Sequence, residues 1–272
     1  MKIIEHSRDG VPFLLSEGMA AAGGVAHGFS TRLGGVSRGE WASLNLGLTR
    51  GDDPACVEEN YRRFLGAVGA EGNRVAMCNQ VHGSTVRTIT SADTKTRLYQ
   101  SSAGEADGLM TAIPGVTLVV FASDCVPILL YDPVRRVVAA VHAGWRGTAA
   151  GIASVAVEQM KTVYGCRPEH ILAAIGPSIG PCCFETNEDV PNAITASLNA
   201  AALPYMSIRE NGKFAVDLRG INVRRLEQAG LNPEQIACCT LCTACSRERF
   251  WSHRQMGDRR GSMAAAIQLK WD

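Results

Sequence analysis

The chain has 272 residues, of which 46% are hydrophobic and 19% are charged, and its formal net charge is +1 at pH 7. This composition is typical of a globular protein, and the near-neutral charge provides no overall field that would attract nucleic acid. No apolar run reaches the roughly 20 residues of a membrane-spanning helix, and the N-terminus lacks the continuous apolar segment of a signal peptide. We therefore expect a cytoplasmic protein without nucleic-acid or membrane partners, whose ten cysteines are reduced, bind metal or act in catalysis. The sequence gives no indication of the oligomeric state.

The first 54 residues combine a predicted hairpin with a long loop. The apolar segment VPFLLS predicts a strand of a hairpin within residues 1–30, and the glycines of the following segment GMAAAGGVAHGFS suit turns. From Ser30 to Pro54 the chain is rich in glycine and follows neither a helical nor a strand period. Because a loop of this length in a compact domain is more often functional than idle, Arg32 and Asn45 are candidates for substrate or phosphate binding.

A helix and a strand–turn–strand segment follow this loop. Asp53-Pro54 is a typical helix start, apolar residues then recur at helical spacing, and the glycines at 69 and 72 predict the end of the helix. The segment RVAMCNQVHGSTVRTIT predicts two strands joined by a turn that carries His82. A single histidine after a strand is more often an ordinary polar residue than a ligand, so His82 matters only if other ligands lie beside it. Residues 91–105 predict a polar loop.

The segment FASDCVPILLYDPVRRVVAAVHAGWRGT, residues 121–148, is the most informative part of the chain. Its short apolar runs, bounded by turn residues, predict buried strands, and Pro133 predicts a hairpin turn between two of them. Cys125 follows one apolar run, and His142 ends the next. Side chains that can bind metal are therefore expected at strand ends, beside the start of a helix predicted over Thr148–Tyr164.

The C-terminal half alternates predicted strands and helices. The segment HILAAIG predicts a strand that runs into a Gly/Pro loop, Asp217 predicts a helix start, and the chain ends in a strand. The sequence has no internal repeat and no flexible linker. The simplest architecture is a single mixed α/β (α+β) domain over residues 1–272, with mixed β-sheets flanked by helices.

His82, Cys125 and His142 allow two interpretations that compete with each other. Thiolate and imidazole groups are good ligands for Zn²⁺ or copper, and a catalytic zinc keeps three protein ligands with a fourth position open. Alternatively, Cys125 is a nucleophile and His142 is the base that activates it, as in a cysteine amidase. The interpretations compete because a metal-bound thiolate is a weak nucleophile. A non-catalytic binding module, in which these residues only support the core, is a third interpretation.

The turn that follows His142 is a candidate phosphate site. Gly144 and Gly147 lead into the predicted helix, whose first N–H groups and dipole favour an anion. Arg146 adds a planar guanidinium group suited to phosphate or carboxylate. The turn lacks the Gly-Lys-Ser/Thr ending of a Walker loop. In the alternative interpretation, its glycines only allow a strand and a helix to pack closely.

A second group of cysteines occurs near the C-terminus. Cys239, Cys242 and Cys245 have C-x₂-C-x₂-C spacing, Cys238 precedes them, and Cys182-Cys183 could complete a ligand set. The spacing is similar to that of iron–sulfur ligands and is also compatible with a second, structural zinc. The cysteine-proline pair that completes a ferredoxin run is missing. We expect no catalytic role for Cys238, Cys239 and Cys245.

Eight motifs extend from about Gly28 to the C-terminus: GFSTRLGGVS, LNLG, NQVHG, EADGLMT, SDCVPILLYDP, VAAVHAGWRGT, IGPSIGPCCFE and FWSHR. Together they resemble the YfiH/DUF152 family, whose members are often labelled polyphenol oxidases or laccase-domain proteins. The family has also been linked to purine nucleoside phosphorylase activity. The resemblance implies a mixed α/β fold shared with the CNF1-type toxins. It also implies a zinc site made of a His–Cys–His set, which falls on His82, Cys125 and His142.

The resemblance further implies phosphorolysis of adenosine, inosine and 5′-methylthioadenosine, with a purine nucleoside and phosphate as substrates, and adenosine deamination as an accompanying activity. One bacterial branch is tied to trimming of mis-made peptidoglycan precursors, which is an amide hydrolysis. Deamination normally requires a carboxylate acid/base, and the H-x-E motif of zinc deaminases is absent here. Asp124, Asp107 and Glu185 are the candidates for that role.

The chain departs from the family pattern and from the laccase label in two respects. Its tail reads SHRQMGDRRG instead of an SHRRDG-like run, so Arg254, Arg259 and Arg260 are all candidates for the anion contact of the tail. A multicopper oxidase of the blue type needs many histidines in His-x-His pairs, whereas this chain has six histidines and no such pair. A trinuclear copper centre is therefore excluded, and a single copper ion at the His–Cys–His set is the alternative to zinc, which would make the protein a single-copper polyphenol oxidase.

Overall fold

The computed structural model describes residues 1–96, 98 and 103–271. The strands are β1 (Ile3–Arg8), β2 (Val11–Ser16), β3 (Val25–Ser30), β4 (Val75–Ala76), β5 (Val86–Thr88), β6 (Gly108–Thr111), β7 (Thr117–Ala122), β8 (Val126–Asp132), β9 (Val137–Ala143), β10 (Leu172–Ile175), β11 (Glu185–Thr186), β12 (Met206–Ile208), β13 (Phe214–Val216), β14 (Ile236–Cys238) and β15 (Met263–Leu269). The α-helices are α1 (Glu17–Ala22), α2 (Pro54–Val68), α3 (Trp145–Ala149), α4 (Ile152–Tyr164), α5 (Asp189–Leu198), α6 (Leu218–Gln228) and α7 (His253–Met256).

The strands form two six-stranded sheets and one small sheet. The spatial order of the first sheet is β1-β2-β3-β15-β7-β4, and that of the second is β14-β10-β8-β9-β6-β5. Most neighbours are antiparallel, whereas β4 runs parallel to β7, β5 to β6 and β14 to β10. Strands β11, β13 and β12 form the small sheet. Both large sheets are therefore mixed, as the sequence predicts.

The two large sheets pack face to face, and helices cover their outer faces. Successive residues of β8 point to opposite sides: Leu129 packs between the sheets against Leu118 and Val120 of β7, whereas Ile128 packs against α4 on the outside. On the other side of the molecule, Val119 of β7 contacts the apolar face of α2. The result is a four-layer α/β/β/α arrangement. Strands with both faces covered must be apolar throughout, which is why the sequence predicted them so clearly.

Three sequence predictions differ from the structure in detail. The small-residue segment after VPFLLS contains α1 and β3, and is not made of turns alone; Ser16 caps α1 by accepting a hydrogen bond from the N–H of Met19. The helix predicted over Thr148–Tyr164 is divided into α3 and α4, because Gly151 between them adopts a left-handed conformation with φ of 77°. The strands predicted around His82 are short and belong to different sheets.

Other predictions are confirmed. Asp53 caps α2 and Gly69 ends it in a left-handed conformation, while Asp217 caps α6.

The polar loop predicted over residues 91–105 falls partly outside the described residues. Over the described part of the chain, no helix combines the length and the apolar composition that crossing a membrane requires.

Candidate active site and family membership

His82, Cys125 and His142 meet in space although they lie far apart in the sequence. The nitrogen and sulfur atoms that they offer as ligands all lie within 4.8 Å of one another. The two imidazole rings are in edge-to-face contact, with centroids 4.9 Å apart. His142 is buried, Cys125 is partly buried, and His82 is exposed at the rim. A set of one thiolate and two imidazoles that is open on one side fits a zinc or copper ion with a free coordination position.

The fold brings these residues together where the chain crosses between the two large sheets. His82 lies between β4 of the first sheet and β5 of the second, and Cys125 lies between β7 of the first and β8 of the second. His142 lies near the end of β9, whose register with β8 pairs it with Pro127. Because Pro127 lies two residues after Cys125, the β8–β9 hairpin places His142 close to Cys125.

Asp107 supports two of the three segments of the site. Its carboxylate lies 2.8 Å from Nδ1 of His142 and accepts hydrogen bonds from the backbone N–H groups of residues 81, 82 and 83. Because a carboxylate can only accept, Nδ1 of His142 carries the proton and Nε2 is left as the ligand atom. The same carboxylate fixes the backbone of His82, which adopts a φ of 61°. Asp107 is thus the group that orients two of the three candidate ligands.

Charges in this buried group perturb one another strongly. Burial alone would raise the pKa of the Cys125 thiol, but the charge and hydrogen bond of His142, together with those of His82, lower that pKa to about 6. Burial alone would lower the pKa of His142, but the Cys125 thiolate and Asp107 raise it to about 9. Without a metal ion, Cys125 and His142 therefore form a thiolate–imidazolium pair near neutral pH. A thiolate is the form of cysteine that binds a metal or attacks an electrophile.

Gly144 allows the three ligands to approach one another. A Cβ atom at this position would lie 2.8 Å from Cδ2 of His82 and 3.4 Å from Sγ of Cys125. The φ of Gly144 is −65°, which any residue can adopt, so the requirement is for space. A Cβ on Gly147 would likewise lie 2.8 Å from the carbonyl oxygen of Gly83. Both glycines pack close to the site, in agreement with the packing interpretation of this turn.

A cavity of about 610 Å³ opens in front of the three candidate ligands. Its apolar walls include Leu48, Met77 and Phe121. Its polar lining includes three cationic residues, Arg50, Lys95 and Arg260, and no aspartate or glutamate occurs among its described lining residues. Its volume lies within the usual range for small-molecule sites. The cavity therefore suits a ligand with one apolar part and one anionic part.

Arg260 is buried against this cavity. Its Nη1 donates to Oγ of Ser123 at 2.6 Å and to the carbonyl of Gly261, while its Nε has no hydrogen-bond partner within the described structure. Burial, followed by the like charge of Arg50, lowers the pKa of Arg260 to about 10. Arg50, Lys95 and Arg260 all line this cavity, and several cations that face one cavity favour an anion between them.

Several residues predicted to bind substrate or phosphate serve other contacts in the structure. Arg32 donates to the backbone carbonyls of Arg247 and Ala42, and its guanidinium lies 3.7 Å from the ring centre of Trp251. Arg146 is exposed, stacks on Trp145 and is not among the residues that line the cavity.

Asn45 is also buried outside the lining of the cavity. Its Oδ1 accepts hydrogen bonds from the N–H groups of Gly47 and Ser262, and its Nδ2 donates to Asp52. Because Gly47 and Ser262 both line the cavity, Asn45 shapes the wall from behind.

Asp124, a candidate acid/base, faces away from the cavity. Its carboxylate accepts hydrogen bonds from Oγ1 of Thr243 at 2.6 Å, from Oγ of Ser252 at 3.0 Å and from the N–H of Arg254 at 2.6 Å. Glu185, another candidate, pairs with Arg209 and Lys213. The contacts of Asp124 fix the turn that presents Cys125, in which Asp124 itself has a φ of 85°.

Arg50 and Ser123 are cavity residues that the sequence did not single out, and Arg260 was only one of three candidates in the tail. The available signal was the sequence MGDRRG, which differs from the family run but contains two arginines. The position of the last strand, β15, determines which of these arginines faces the cavity. The local sequence does not predict it.

Comparisons with known proteins agree with this fold. A profile of the family described as "Multi-copper polyphenol oxidoreductase laccase" matches residues 26–270. The purine nucleoside phosphorylase of Deinococcus radiodurans is 39% identical over 263 residues, covering 96% of this chain and 94% of that protein. Purine nucleoside phosphorylase YlmD of Geobacillus stearothermophilus is 37% identical over 249 residues, covering 90% of both proteins.

The crystal structure of YlmD from Geobacillus stearothermophilus superposes with a TM-score of 0.91 at 34% identity, and covers 99% of this chain and 100% of that one. The crystal structure of the Bacillus licheniformis protein YfiH superposes with a TM-score of 0.90 at 33% identity and covers 97% of this chain and 99% of that one. The motifs, the fold and the relatives thus agree, and the chain belongs to the YfiH-like family of laccase-domain proteins.

Proposed function

We propose that this protein is a zinc-dependent purine nucleoside phosphorylase. It uses phosphate to cleave adenosine, inosine and 5′-methylthioadenosine, and it deaminates adenosine as a side reaction. The observation that carries the proposal is a single cavity in which a His–Cys–His set faces two arginines, Arg50 and Arg260. The names of the relatives support the same reaction.

His82, Cys125 and His142 are the residues that would hold the zinc ion. Their donor atoms lie close enough together for one ion, Cys125 favours its thiolate form, and Asp107 holds His142 in the tautomer that a ligand needs. When bound, zinc would supply Lewis-acid stabilisation of negative charge that develops on the substrate. Copper is the alternative occupant, since it binds most nitrogen and sulfur sites more tightly than zinc.

Arg260 and Arg50 would bind the phosphate. In phosphorolysis, a phosphate oxygen forms a bond to the ribose carbon C1′, the bond from C1′ to the purine nitrogen breaks, and the purine leaves with a proton. A fixed pair of guanidinium groups orients the attacking phosphate and makes the reaction effectively intramolecular. Arg260 lines the cavity whereas the exposed Arg146 does not, which supports this assignment.

The apolar part of the cavity would hold the purine base. Phe121 is positioned at the end of β7, and Gln80 fixes it through two hydrogen bonds to its backbone N–H and carbonyl groups. Aromatic and thioether side chains such as Phe121 and Met77 form favourable contacts with the face of a purine ring. The lining therefore supports recognition of the base by shape and stacking.

Deamination is proposed as the weaker reaction. It requires a group that carries a proton to the leaving amine, and zinc deaminases use a glutamate for this purpose. No carboxylate lines the cavity within the described residues, because Asp124 and Asp107 are both engaged in backbone hydrogen bonds. When phosphate is present, we expect adenosine to be cleaved to adenine faster than it is deaminated to inosine.

The test of phosphorolysis is to incubate purified protein with inosine, with and without phosphate. Ribose 1-phosphate and hypoxanthine should form in equal amounts and only when phosphate is present. Hypoxanthine release that is independent of phosphate would exclude the proposed reaction.

The two candidate anion sites can be separated by matched variants. Arg260→Met should reduce kcat/KM for phosphate by about 100-fold, since it removes a charged donor from the attacking group. Arg146→Met should leave this parameter within about twofold of the wild type. The opposite pattern would move the phosphate to the turn that follows His142.

A cysteine amidase is the second candidate function, and the low pKa of Cys125 is the observation that favours it. In that case the metal-free protein would be the active form, with Cys125 as nucleophile and His142 as base. Iodoacetamide should then abolish activity equally well with and without added zinc. If bound zinc protects Cys125 from alkylation and the zinc-loaded protein is the active form, Cys125 does not act as the nucleophile, and the cysteine amidase function is excluded.

A further inference from the structure

Four cysteines outside the candidate active site converge on one point. Cys182 and Cys183 lie in the loop after β10, whereas Cys242 and Cys245 lie in the loop after β14. Their four sulfur atoms all lie within 4.8 Å of one another, and Sγ of Cys245 is 3.6 Å from that of Cys182 and 3.4 Å from that of Cys183. All four are free thiols in the structure.

These separations fit one tetrahedral ion. A zinc–sulfur bond length of 2.3 Å places tetrahedral sulfur ligands about 3.8 Å apart, which is within a few tenths of an ångström of the two observed separations. A polynuclear iron–sulfur cluster would hold its cysteine sulfurs farther apart, because several iron and sulfide ions lie between them. Four thiolates also leave no coordination position open, which is the property of a structural zinc site.

Backbone donors support the charge of one sulfur. The N–H of Gly180 donates to Sγ of Cys242 at 3.2 Å, and the N–H of Cys245 contributes a second hydrogen bond to the same group. Hydrogen bonds from backbone amides to a ligand sulfur orient it and stabilise its negative charge. Cys242 is also the buried member of the four, so it would be the fixed ligand around which the others close.

Three arginines surround the cluster and fix both loops. Arg209 donates to the carbonyl of Cys182 at 2.9 Å, and Arg254 donates to that of Cys183 at 3.0 Å. Arg219 donates to two carbonyls of the loop that carries the other pair of cysteines. A zinc ion with four thiolates has a net charge of about −2, and these guanidinium groups provide nearby positive charge.

The cluster is connected to the turn that presents Cys125. Thr243 lies between two of the clustered cysteines and donates to the carboxylate of Asp124 at 2.6 Å. The N–H of Ile179 donates to the carbonyl of Asp124 at 2.9 Å. An ion that joins the two cysteine loops would therefore hold Asp124 from both sides.

We propose that Cys182, Cys183, Cys242 and Cys245 bind one structural zinc ion, which clamps the two loops behind the candidate active site. This site is separate from the His–Cys–His set, so it does not depend on the proposed phosphorylase activity.

Zinc analysis of protein purified without an affinity tag tests the proposal. The wild type should contain about two zinc ions per chain, and the double variant Cys182→Ser/Cys245→Ser should lose one of them. His142→Ala should lose the other, and the combination of all three changes should lose both. Cys56→Ser, which alters a partly buried cysteine on α2 outside both groups, is the matched control and should keep both ions.

Two results would overturn the proposal. One is a wild-type zinc content of no more than one ion per chain that His142→Ala removes while the double cysteine variant retains it. The other is peptide mapping of the denatured wild type, alkylated without reductant and with chelator, that finds a disulfide between two of the four clustered cysteines. The second result would mean that the cluster forms a disulfide.

Cobalt substitution keeps the test valid if the double cysteine variant is unstable. Cobalt bound by four thiolates gives intense sulfur-to-metal charge-transfer absorption, whereas cobalt bound by one thiolate gives a much weaker band. His142→Ala loaded with Co²⁺ should therefore retain most of the charge-transfer absorption of the wild type. Loss of more than half of this absorption in His142→Ala would contradict a four-cysteine site.

Discussion

Asp107 holds the candidate active site together through its charge. The carboxylate accepts hydrogen bonds from His142 and from three successive backbone N–H groups, 81–83, and these hydrogen bonds lower its pKa although burial opposes ionisation. Asp107→Asn keeps the shape but offers one acceptor oxygen and no charge. We expect zinc affinity to fall by about 10- to 100-fold, as measured by competition with a chelator. Asp93→Asn, which likewise removes a hydrogen-bonded carboxylate but at a turn outside the site, is the control and should keep wild-type affinity.

Gly144 is also important for the site, because it has no side chain. Gly144→Ala would bring a methyl group against His82 and Cys125, so it should separate the ligands without disturbing the fold. We expect at least about a 100-fold loss of phosphorolysis with a melting temperature close to that of the wild type. Gly66→Ala in α2 meets no atom within 4 Å and should stabilise the protein slightly while leaving activity unchanged. Full activity in Gly144→Ala would show that the three side chains do not need this close approach.

The sequence predicts which residue types form the candidate site better than it predicts which atoms face the cavity. His82, Cys125 and His142 were identifiable because histidine and cysteine at strand ends are unusual. Arg32 and Asn45 were equally plausible as ligands, yet Arg32 donates to the backbone carbonyls of Ala42 and Arg247, and Asn45 donates to the carboxylate of Asp52. A local pattern does not record which carbonyl or N–H group a side chain will meet when the partner lies more than 200 residues away, as Arg247 does from Arg32.

Strands β7 to β10 were predictable from sequence because each is largely buried on both faces and mostly apolar. The division of strands between two sheets was not, because the same apolar run suits either sheet. The connection from β4 to β5 shows the difficulty: its residues look like one hairpin, but its two strands pair in parallel with different partners. The helix predicted over Thr148–Tyr164 differs from the structure at two points: α3 begins at Trp145, and Gly151, a glycine within an apolar period, separates α3 from α4.

Strand β3 carries a buried histidine that should make the fold sensitive to acid. His27 accepts a hydrogen bond from the N–H of Ser16 at 2.9 Å, and burial lowers its pKa from 6.5 to about 4. Below pH 6.5 the unfolded chain therefore binds a proton that the folded chain does not. Stability should fall as the pH decreases from 6.5 to about 4, by about 3 kcal/mol in total from this residue.

Urea unfolding of chelator-treated protein at pH 7 and at pH 4 measures this contribution without interference from metal release. His27→Gln stays neutral and can still accept the hydrogen bond, so its loss of stability between the two pH values should be smaller than that of the wild type. His6→Gln, a change at an exposed histidine of β1, should behave as the wild type does. Equal acid sensitivity in His27→Gln and the wild type would assign the effect to other groups.

The candidate active site lies where the chain passes from one large sheet to the other. His82 and Cys125 occupy two such crossings, and His142 belongs to the second sheet alone. An ion bound to all three residues would therefore link the sheets near the open end of the cavity. This placement explains why the sequence separation between the ligands is large, and why the site needs the complete sandwich and cannot form from one hairpin.

Zinc binding at these crossings should therefore stabilise the whole molecule. The double variant Cys182→Ser/Cys245→Ser isolates this effect, because it removes the cysteine cluster. In that background, free zinc at about 1,000 times its dissociation constant should raise the free energy of unfolding by about 4 kcal/mol. Adding His142→Ala should abolish the increase. Hydrogen exchange should slow together in residues 77–85 and 123–125, since one ion would restrain both crossings. Slower exchange in only one of these segments would mean that the three residues do not bind a common ion.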